Sequence, residues 1–153
     1  MSSNPLNLAR LPDWLSKLNL FRLNFAKTGI TGHLPRWLSS TSISMLDLSS
    51  NQLSGSLPHW IGNMTNLSIL NLSNNGFHSS IPLEFKNLSL LMDLDLHSNK
   101  FTGNLGTIFS KSTKDLLDHY NSIDVSRNRF VSHIDDNFGN KASMESIQVL
   151  LLS

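Results

Sequence analysis

The sequence predicts a solenoid, a fold in which short coils of similar sequence stack on one another, and two repeated patterns support this prediction. Leu-Pro-x-Trp followed by an aliphatic residue occurs three times at intervals of 23 residues, at 11–15, 34–38 and 57–61. The apolar pattern L-x-x-L-x-L recurs with the same period, or a slightly longer one, along most of the 153-residue chain. A fixed period of this length is the signature of stacked supersecondary units, so the chain is expected to form a single domain.

Alignment of the repeats on their first apolar residue divides the chain into five full repeats and two partial ones. The full repeats are residues 20–42, 43–66, 67–90, 91–119 and 120–143, and the partial ones are residues 1–19 and 144–153. The repeat 91–119 is five residues longer than either neighbour, and the surplus falls between 110 and 119. We expect a bulge on the convex side there, with a docking surface for another domain as the alternative.

Each column of the aligned repeats has a physical role. The pattern L-x-x-L-x-L alternates apolar and polar residues, as a strand with one buried face does, so Leu46 and Leu48 should point inward and Asp47 outward. Asparagine follows the strand in four repeats, at Asn51, Asn75, Asn99 and Asn128. Its amide both donates and accepts hydrogen bonds, so stacked coils should form a ladder that pairs buried backbone groups. Thr28 takes this place in the first repeat and offers fewer hydrogen bonds.

The repeat resembles the plant-type extracellular leucine-rich repeat, L-x-x-L-x-L-x-x-N-x-L-x-G-x-I-P-x-x-L-x-x-L. Residues 46–58 fit every fixed position of this pattern, with leucine standing for isoleucine at Leu57. Four residues depart from the pattern and predict a less regular wall on the far side. Gly106 and Asp135 replace the proline, and Ser79 and Ser132 replace the glycine.

The resemblance implies an α/β solenoid (leucine-rich repeat) in the form of a curved, right-handed stack of coils. A parallel β-sheet would line its concave face, and loops, 3-10 turns and short helices would form the convex side. A second short strand often follows the asparagine turn in this family.

Composition excludes several classes of function. The formal net charge is +1, only 15% of the residues are charged, and no basic stripe is present, so nucleic acid is not an expected partner. The absence of cysteine rules out disulfides and thiol chemistry within this chain. The sequence shows neither a signal peptide nor an apolar run long enough to cross a membrane. These features favour an interior segment of a longer receptor, or a truncated gene product.

The sequence predicts no catalytic site, cofactor or metal. The six histidines occupy mostly different columns of the repeat and show no metal-ligand spacing. No serine lies in a G-x-S-x-G motif, and no phosphate-binding loop occurs. The chain is therefore interpreted as a non-catalytic protein, although a parent protein could carry a kinase domain.

The outward positions of the strands are the candidate ligand-binding face. They include the column Asn24, Asp47, Asn71, Asp95 and Asp124, whose side chains we expect to bond locally, with calcium or substrate binding as the weaker reading. They also include Ser49, Ser73 and Ser126. The candidate contacts are those that depart from the Ser/Asn background: Phe21, Arg22, Lys27, Met45, Ile69, Met92, Asp93, His97 and Arg127.

Two further columns lie outside this face. Trp14, Trp37 and Trp60 follow the prolines and are expected to be half-buried wall residues, with a partner-binding patch as the alternative. N-x-S/T sequons occur at Asn63, Asn66, Asn71 and Asn87. Glycosylation is expected at Asn63 or Asn87 before the others, and rarely at Asn71, where a glycan would block the sheet.

The resemblance implies part of the ectodomain of a plant receptor-like protein or receptor kinase that recognises a peptide or protein ligand, with a co-receptor as a further partner. The parent protein would lie at the extracellular face of the plasma membrane or in the cell wall, and would signal in development or defence. Its attachment to the membrane would come from segments absent here. Three alternatives remain: a secreted polygalacturonase-inhibitor-like protein, an ice-binding or purely structural array, and a truncated product without independent function.

Overall fold

A computed structural model describes residues 9–105 and 120–131 with their side chains, and the backbone of residues 149–151. The predicted bulge between 110 and 119, the substitutions at Gly106, Ser132 and Asp135, and much of the last repeats lie outside the described residues. The strands of the described part, in chain order, are β1 (Arg22–Asn24), β2 (Thr31–Gly32), β3 (Met45–Asp47), β4 (Gln52–Gly55), β5 (Ile69–Asn71), β6 (Gly76–Ser80), β7 (Asp93–Asp95), β8 (Lys100–Thr102), β9 (Ser122–Asp124) and β10 (Val149–Leu151).

The strands form two parallel sheets, one on each side of the coil stack. The concave sheet has the order β1-β3-β5-β7-β9-β10, and the second sheet has the order β2-β4-β6-β8. In the concave sheet Leu46 pairs with Leu70, Leu70 with Leu94, and Leu94 with Ile123. All four side chains are buried. The predicted α/β solenoid is therefore confirmed, and so is the second strand that the resemblance implied.

A 3-10 helix begins directly after each of four prolines, Pro12, Pro35, Pro58 and Pro82. These helices are η1 (Asp13–Lys17), η2 (Arg36–Ser40), η3 (His59–Asn63) and η4 (Leu83–Asn87). The proline before each helix has a φ between −76° and −68°. This φ is the one that the proline ring imposes, so the ring prepares the chain for the first turn.

One continuous core fills the space between the two sheets and the 3-10 helices. Its second-sheet side contains a row of aromatic rings in successive coils. Phe77 and Phe101 stack with centroids 6.0 Å apart and planes inclined by 3°, and Phe101 and Phe130 stack at 6.2 Å and 13°. Phe77 and Phe101 are fully buried, so the row contributes both apolar burial and ring contacts to the stack.

The asparagine side chains bridge neighbouring coils. The Asn75 amide nitrogen donates to the Leu48 carbonyl of the preceding coil at 3.0 Å and to the Leu72 carbonyl of its own coil at 3.1 Å. Its Oδ1 accepts from the Leu53 N–H at 3.0 Å. Asn51, Asn99 and Asn128 repeat this arrangement. Each amide therefore pairs backbone groups that no ladder of strands could reach.

Thr28 takes the asparagine place in the first coil and makes a simpler set of contacts. Its hydroxyl donates to the Phe25 carbonyl at 2.8 Å, and its N–H is bound by Oδ1 of Asn51 at 3.1 Å. The threonine thus pairs one carbonyl of its own coil, whereas each asparagine also reaches the coil before it.

The residue before the asparagine or threonine adopts a left-handed conformation in every described coil. These residues are Lys27, Ser50, Asn74, Ser98 and Arg127, with φ between 53° and 56°. Lys27 and Arg127 therefore lie in the turn after the strand, and the expectation that they occupy outward strand positions is wrong.

Ser79 is the described residue at which serine replaces glycine in the far-side bend. Its φ is 70°, whereas Gly55 and Gly103 in the same column have φ values of 91° and 83°. A side chain disfavours this region by roughly 1–2 kcal/mol, so the backbone keeps the glycine-like turn despite the serine.

Replacing Ser79 with glycine is expected to raise the free energy of unfolding by about 1 kcal/mol, because the relief of left-handed strain exceeds the extra entropy of an unfolded glycine. Urea unfolding of the two proteins measures the difference. The matched control is Ser80→Gly, which lies next to it in β6 without a positive φ. That control should lose about 0.5–1 kcal/mol, and an equal loss in Ser79→Gly would contradict the assignment of strain.

Candidate ligand-binding face

Two rows of outward-facing residues run across the concave sheet, one on each side of the buried leucine row. The first row is Arg22, Met45, Ile69, Asp93 and Ser122, and the second row is Asn24, Asp47, Asn71, Asp95 and Asp124. Both rows face away from the core because side chains alternate along each strand. We define the concave face as these two rows and the residues that border them.

The first row changes in chemical character from coil to coil. It begins with the exposed cation of Arg22, continues with the half-buried apolar side chains of Met45 and Ile69, and reaches the carboxylate of Asp93. Oδ1 of Asp93 accepts a hydrogen bond of 2.7 Å from the Ser122 hydroxyl. Neighbouring strands lie about 4.8 Å apart, so the row offers positive, apolar and negative surface in a fixed order.

The second row shapes the turn that follows each strand. Oδ1 of Asp47, Asn71 and Asp124 accepts from the backbone N–H two residues later, at 3.0, 3.0 and 2.9 Å. Asparagine and aspartate serve equally in this role because both present a carbonyl-type oxygen. Because Asn71 forms the same turn as Asp47 and Asp124, an Asp→Asn substitution in this row is expected to preserve the turn.

The serines that follow the second row are buried, so the expectation that they face outward is wrong. They are Ser49, Ser73 and Ser126. They are only 9%, 2% and 8% exposed because the turn folds them against the neighbouring coil. His97 occupies the same column in its coil. Its larger ring does not fit in the space of a serine side chain and remains partly exposed at the concave face.

His97 is the centre of a polar cluster that joins three coils. Its Nδ1 lies 2.7 Å from Oδ1 of Asp95 and 3.8 Å from Oδ2 of Asp124, and its Nε2 lies 3.0 Å from the amide nitrogen of Asn74. With that amide as donor, Nε2 accepts and Nδ1 carries the proton that it donates to Asp95. We call Asn74, Asp95, His97 and Asp124 the His97 cluster.

Asp95, His97 and Asp124 also lie close enough to contact one metal ion. One ligand atom from each falls within 4.8 Å of the others. Hydrogen bonds within the protein already occupy both ring nitrogens of His97. The alignment of the repeats places Asp95 and Asp124 in one column, with calcium binding as the weaker reading. It does not add His97 to that column, and the signal for doing so was a histidine in a column made mostly of serines.

Among the described residues, neither lysine nor arginine pairs with the carboxylates of this face, and His97 is the basic side chain near them. No lysine or arginine nitrogen lies within 4.0 Å of Asp47, Asp93, Asp95 or Asp124 in that part of the chain. A cation brought to this end of the face would meet negative charge that no lysine or arginine of the described residues neutralises.

Phe21 and Met92 border the first row in the column before the strands. They are 61% and 40% exposed. Backbone hydrogen bonds through Ser44 and Ser68 connect their coils along this column. The two large side chains therefore add apolar surface at opposite ends of a serine-rich stretch.

The tryptophan column lies on the 3-10 helices, away from the concave sheet. Trp14 is 58% exposed, whereas Trp37 and Trp60 are half-buried against the core. Glu84 takes the tryptophan place in η4, where Oε2 lies 2.7 Å from Nδ1 of His59. The hydrogen bond from His59 lowers the pKa of Glu84. Both groups are exposed, so this contact contributes little to stability.

In the part of the chain that the structure describes, no helix has the length and apolar character needed to cross a membrane. No curated protein sequence is significantly similar to the chain. Residues 42–64 and 66–88 match the family profile described as Leucine Rich Repeat.

Solved structures of plant receptor kinases are similar to the chain. The ectodomain of SOBIR1 from Arabidopsis thaliana is 29% identical with a TM-score of 0.74, over 86% of this chain and 68% of that one. The ectodomain of GASSHO1/SCHENGEN3 from the same plant, in complex with CASPARIAN STRIP INTEGRITY FACTOR 2, is 32% identical with a TM-score of 0.82. That match covers 94% of this chain but only 17% of the receptor.

A third similar structure is the Arabidopsis receptor kinase HAESA in complex with the peptide hormone IDA and the co-receptor SERK1. It is 29% identical with a TM-score of 0.67, over 93% of this chain and 24% of the receptor. The chain thus spans less than a quarter of the two longer ectodomains. The repeats, the paired sheets and these likenesses identify it as an array of leucine-rich repeats with the fold of plant receptor ectodomains.

Proposed function

We propose that the chain is a non-catalytic recognition module of a plant cell-surface receptor and binds a peptide or protein ligand on its concave face. The observation that carries this proposal is the composition of the first row. A surface that binds no ligand is expected to carry small polar residues there, but this row has Arg22, Met45, Ile69 and Asp93. Similar ectodomains have been solved with the peptide hormone IDA and with CASPARIAN STRIP INTEGRITY FACTOR 2.

The dimensions of the face suit a short segment of ligand. Six strands at about 4.8 Å spacing span about 24 Å, the length of about seven extended residues. A standard protein interface buries roughly 800 Å² on each partner. We therefore propose that neighbouring coils of a longer receptor share the binding of a large ligand, whereas a peptide of this length is bound by the described coils alone.

The proposal places the parent protein at the extracellular face of the plasma membrane or in the cell wall, where it acts in development or defence. A co-receptor is a second partner in this account, as SERK1 is in the HAESA complex. In this proposal the parent protein supplies the membrane segment and any kinase.

The concave location predicts which variants abolish peptide binding. Dodecapeptides selected from a random phage library on the purified chain are expected to lose at least about tenfold in affinity for Met45→Ser/Ile69→Ser, since apolar contacts at an interface centre dominate binding. Serine already occupies this row at Ser122, so the double variant should fold normally.

The matched control for this experiment is Leu83→Ser in η4. Leu83 is 68% exposed and lies away from the concave sheet, so its loss should leave peptide binding unchanged. Peptides that bind the Met45→Ser/Ile69→Ser protein as tightly as the unchanged chain, but bind Leu83→Ser weakly, would contradict the proposal.

We also propose that the chain carries N-glycans at Asn63, Asn66 and Asn87, with Asn63 and Asn87 modified first. These three side chains are exposed, and Asn63 and Asn87 each end a 3-10 helix on the flank of the solenoid. Asn71 is half-buried, and its Oδ1 accepts from both the N–H and the hydroxyl of Ser73.

In plant-secreted protein, mass spectrometry of chymotryptic peptides is expected to find glycans at Asn63 and Asn87 and to find Asn71 unmodified. Deglycosylation that causes no change in mass, or a glycan confined to Asn71, would contradict this assignment. The Asn87→Gln variant should remove one glycan without affecting peptide binding on the concave sheet.

A further inference from the structure

We infer that the concave face recognises an extended peptide in which an acidic side chain, an apolar side chain and a basic side chain follow one another at every second residue. The inference rests on the proposed function and names the class of peptide that the face would take. It follows from the order of charges across the sheet and from the spacing of the strands.

The spacing of the strands fixes the distance between the two charged positions. Arg22 and Asp93 lie three strands apart in the same row, which corresponds to about 14 Å at about 4.8 Å for each step. An extended chain advances about 3.3 Å for each residue. Side chains about four residues apart therefore reach both positions, and alternation places them on the same side of the peptide.

The apolar requirement comes from the middle of the row. Met45 and Ile69 occupy the two strands between Arg22 and Asp93 and are half-buried. The peptide residue halfway between the two charges lies about 6.6 Å from either one, above these two side chains. Its side chain points to the sheet as the charged ones do, so burial there favours leucine, valine or a similar residue.

The basic requirement comes from the acidic end of the face. Asp93 in the first row lies beside Asp95 and Asp124 in the second row, on the adjacent strands β7 and β9. None of the three has a lysine or arginine nitrogen within 4.0 Å among the described residues, and this includes Arg127 in the turn after β9. A lysine or arginine of the ligand would supply the missing counter-charge.

The acidic requirement comes from the opposite end. Arg22 is exposed, and no carboxylate oxygen of the described residues lies within 4.0 Å of its guanidinium. Lys27, in the turn after β1, adds a second exposed cation to the same coil. A guanidinium binds a carboxylate with two parallel hydrogen bonds, so a ligand aspartate or glutamate fits this position.

Two fluorescent peptides test the inference on the full chain by anisotropy. Their central segments are Asp-Ser-Leu-Ser-Lys and Lys-Ser-Leu-Ser-Asp, because the charges fix positions in space and leave the direction of the peptide open. The control peptides carry two lysines, two aspartates, asparagine in place of leucine, or one additional serine between the charges. At least one test peptide should bind about three- to tenfold more tightly than every control, and the preference should weaken as salt is raised.

Variants of the chain assign the preference to particular residues. Asp95→Asn/Asp124→Asn should remove about three- to tenfold of the affinity for the lysine-containing test peptide, and Arg22→Ser should remove the discrimination against the two-lysine control. The control is Asp47→Asn, which removes one negative charge from the same row, two strands away from Asp95. Asparagine already forms the turn at Asn71, so these second-row variants keep the fold.

The outcomes separate this inference from the function on which it rests. If selected dodecapeptides lose binding in Met45→Ser/Ile69→Ser but show no spaced charges, the inference is overturned and the concave site stands. If the test peptides bind Asp95→Asn/Asp124→Asn as tightly as they bind the unchanged chain, the inference is overturned as well. If no peptide depends on the concave face, the proposed function fails and the inference fails with it.

Discussion

Replacement of Asn99 by alanine should lower the free energy of unfolding by about 3–5 kcal/mol, since each buried backbone group left without a partner costs about 1–3 kcal/mol. Asn99 is the most buried member of the asparagine column, at 8% exposure. Its Oδ1 accepts from the Phe77 N–H at 3.1 Å, and its amide nitrogen donates to the Leu72 and Leu96 carbonyls at 2.9 and 3.1 Å.

Equilibrium unfolding in urea measures this loss. Asn121→Ala is the matched control because Asn121 is exposed just before β9, and it should change stability by no more than about 0.5 kcal/mol. Asn99→Thr should lie between the two, since Thr28 shows that a hydroxyl in this column retains one of the carbonyl contacts. A loss below about 1 kcal/mol in Asn99→Ala would mean that the amide ladder does not connect the coils energetically.

Replacement of Phe101 by alanine should cost a similar amount, about 3–5 kcal/mol, through lost burial and the cavity left behind. Phe101 is fully buried and lies between two other rings, Phe77 and Phe130, which stack on its two faces. Its removal therefore takes away ring packing with the coils on both sides.

Phe101→Leu is the control for this second substitution. Leucine fills the same column at Leu53, where it is fully buried, so the variant should retain most of the stability, with a loss of no more than about 1.5 kcal/mol. Thermal and urea unfolding of both variants give the comparison. Equal losses in Phe101→Leu and Phe101→Ala would show that the column is not a packed continuation of the core.

The arrangement of the leucine rows could be predicted from the sequence because one physical constraint determines it. A strand with one buried face must alternate, and a coil that cannot bury its own apolar side must stack on another. Leu46, Leu70, Leu94 and Ile123 satisfy both conditions, and the register follows directly from their spacing.

The left-handed turn after each strand could not be predicted from residue type. Lysine and arginine rarely adopt a positive φ, so Lys27 and Arg127 do not indicate a left-handed turn as a glycine would. Hydrogen bonds between coils hold the turn, as in Lys27 N–H to the Ser49 carbonyl at 3.0 Å and Ser50 N–H to the Ser73 carbonyl at 2.9 Å. The conformation is a property of the stack, which overrides the local preference.

The contacts of His97 also lay beyond sequence reasoning. Asp95 could be anticipated as a neighbour because it is two residues away, but Asn74 and Asp124 reach the ring from other coils. Columns show which residues share a row. They do not show that His97, in a column made mostly of serines, lies close to the Asp124 carboxylate on the next strand.

The central claim is that the concave face of the stacked coils binds the ligand, and photo-crosslinking tests it most directly. A selected dodecapeptide that carries a benzophenone at its central residue would be irradiated on the chain, and the attachment site read by mass spectrometry. The account predicts attachment at Met45, Ile69 or Met92. Attachment at Trp14 or Leu83, which are exposed on the 3-10 helices, would contradict it.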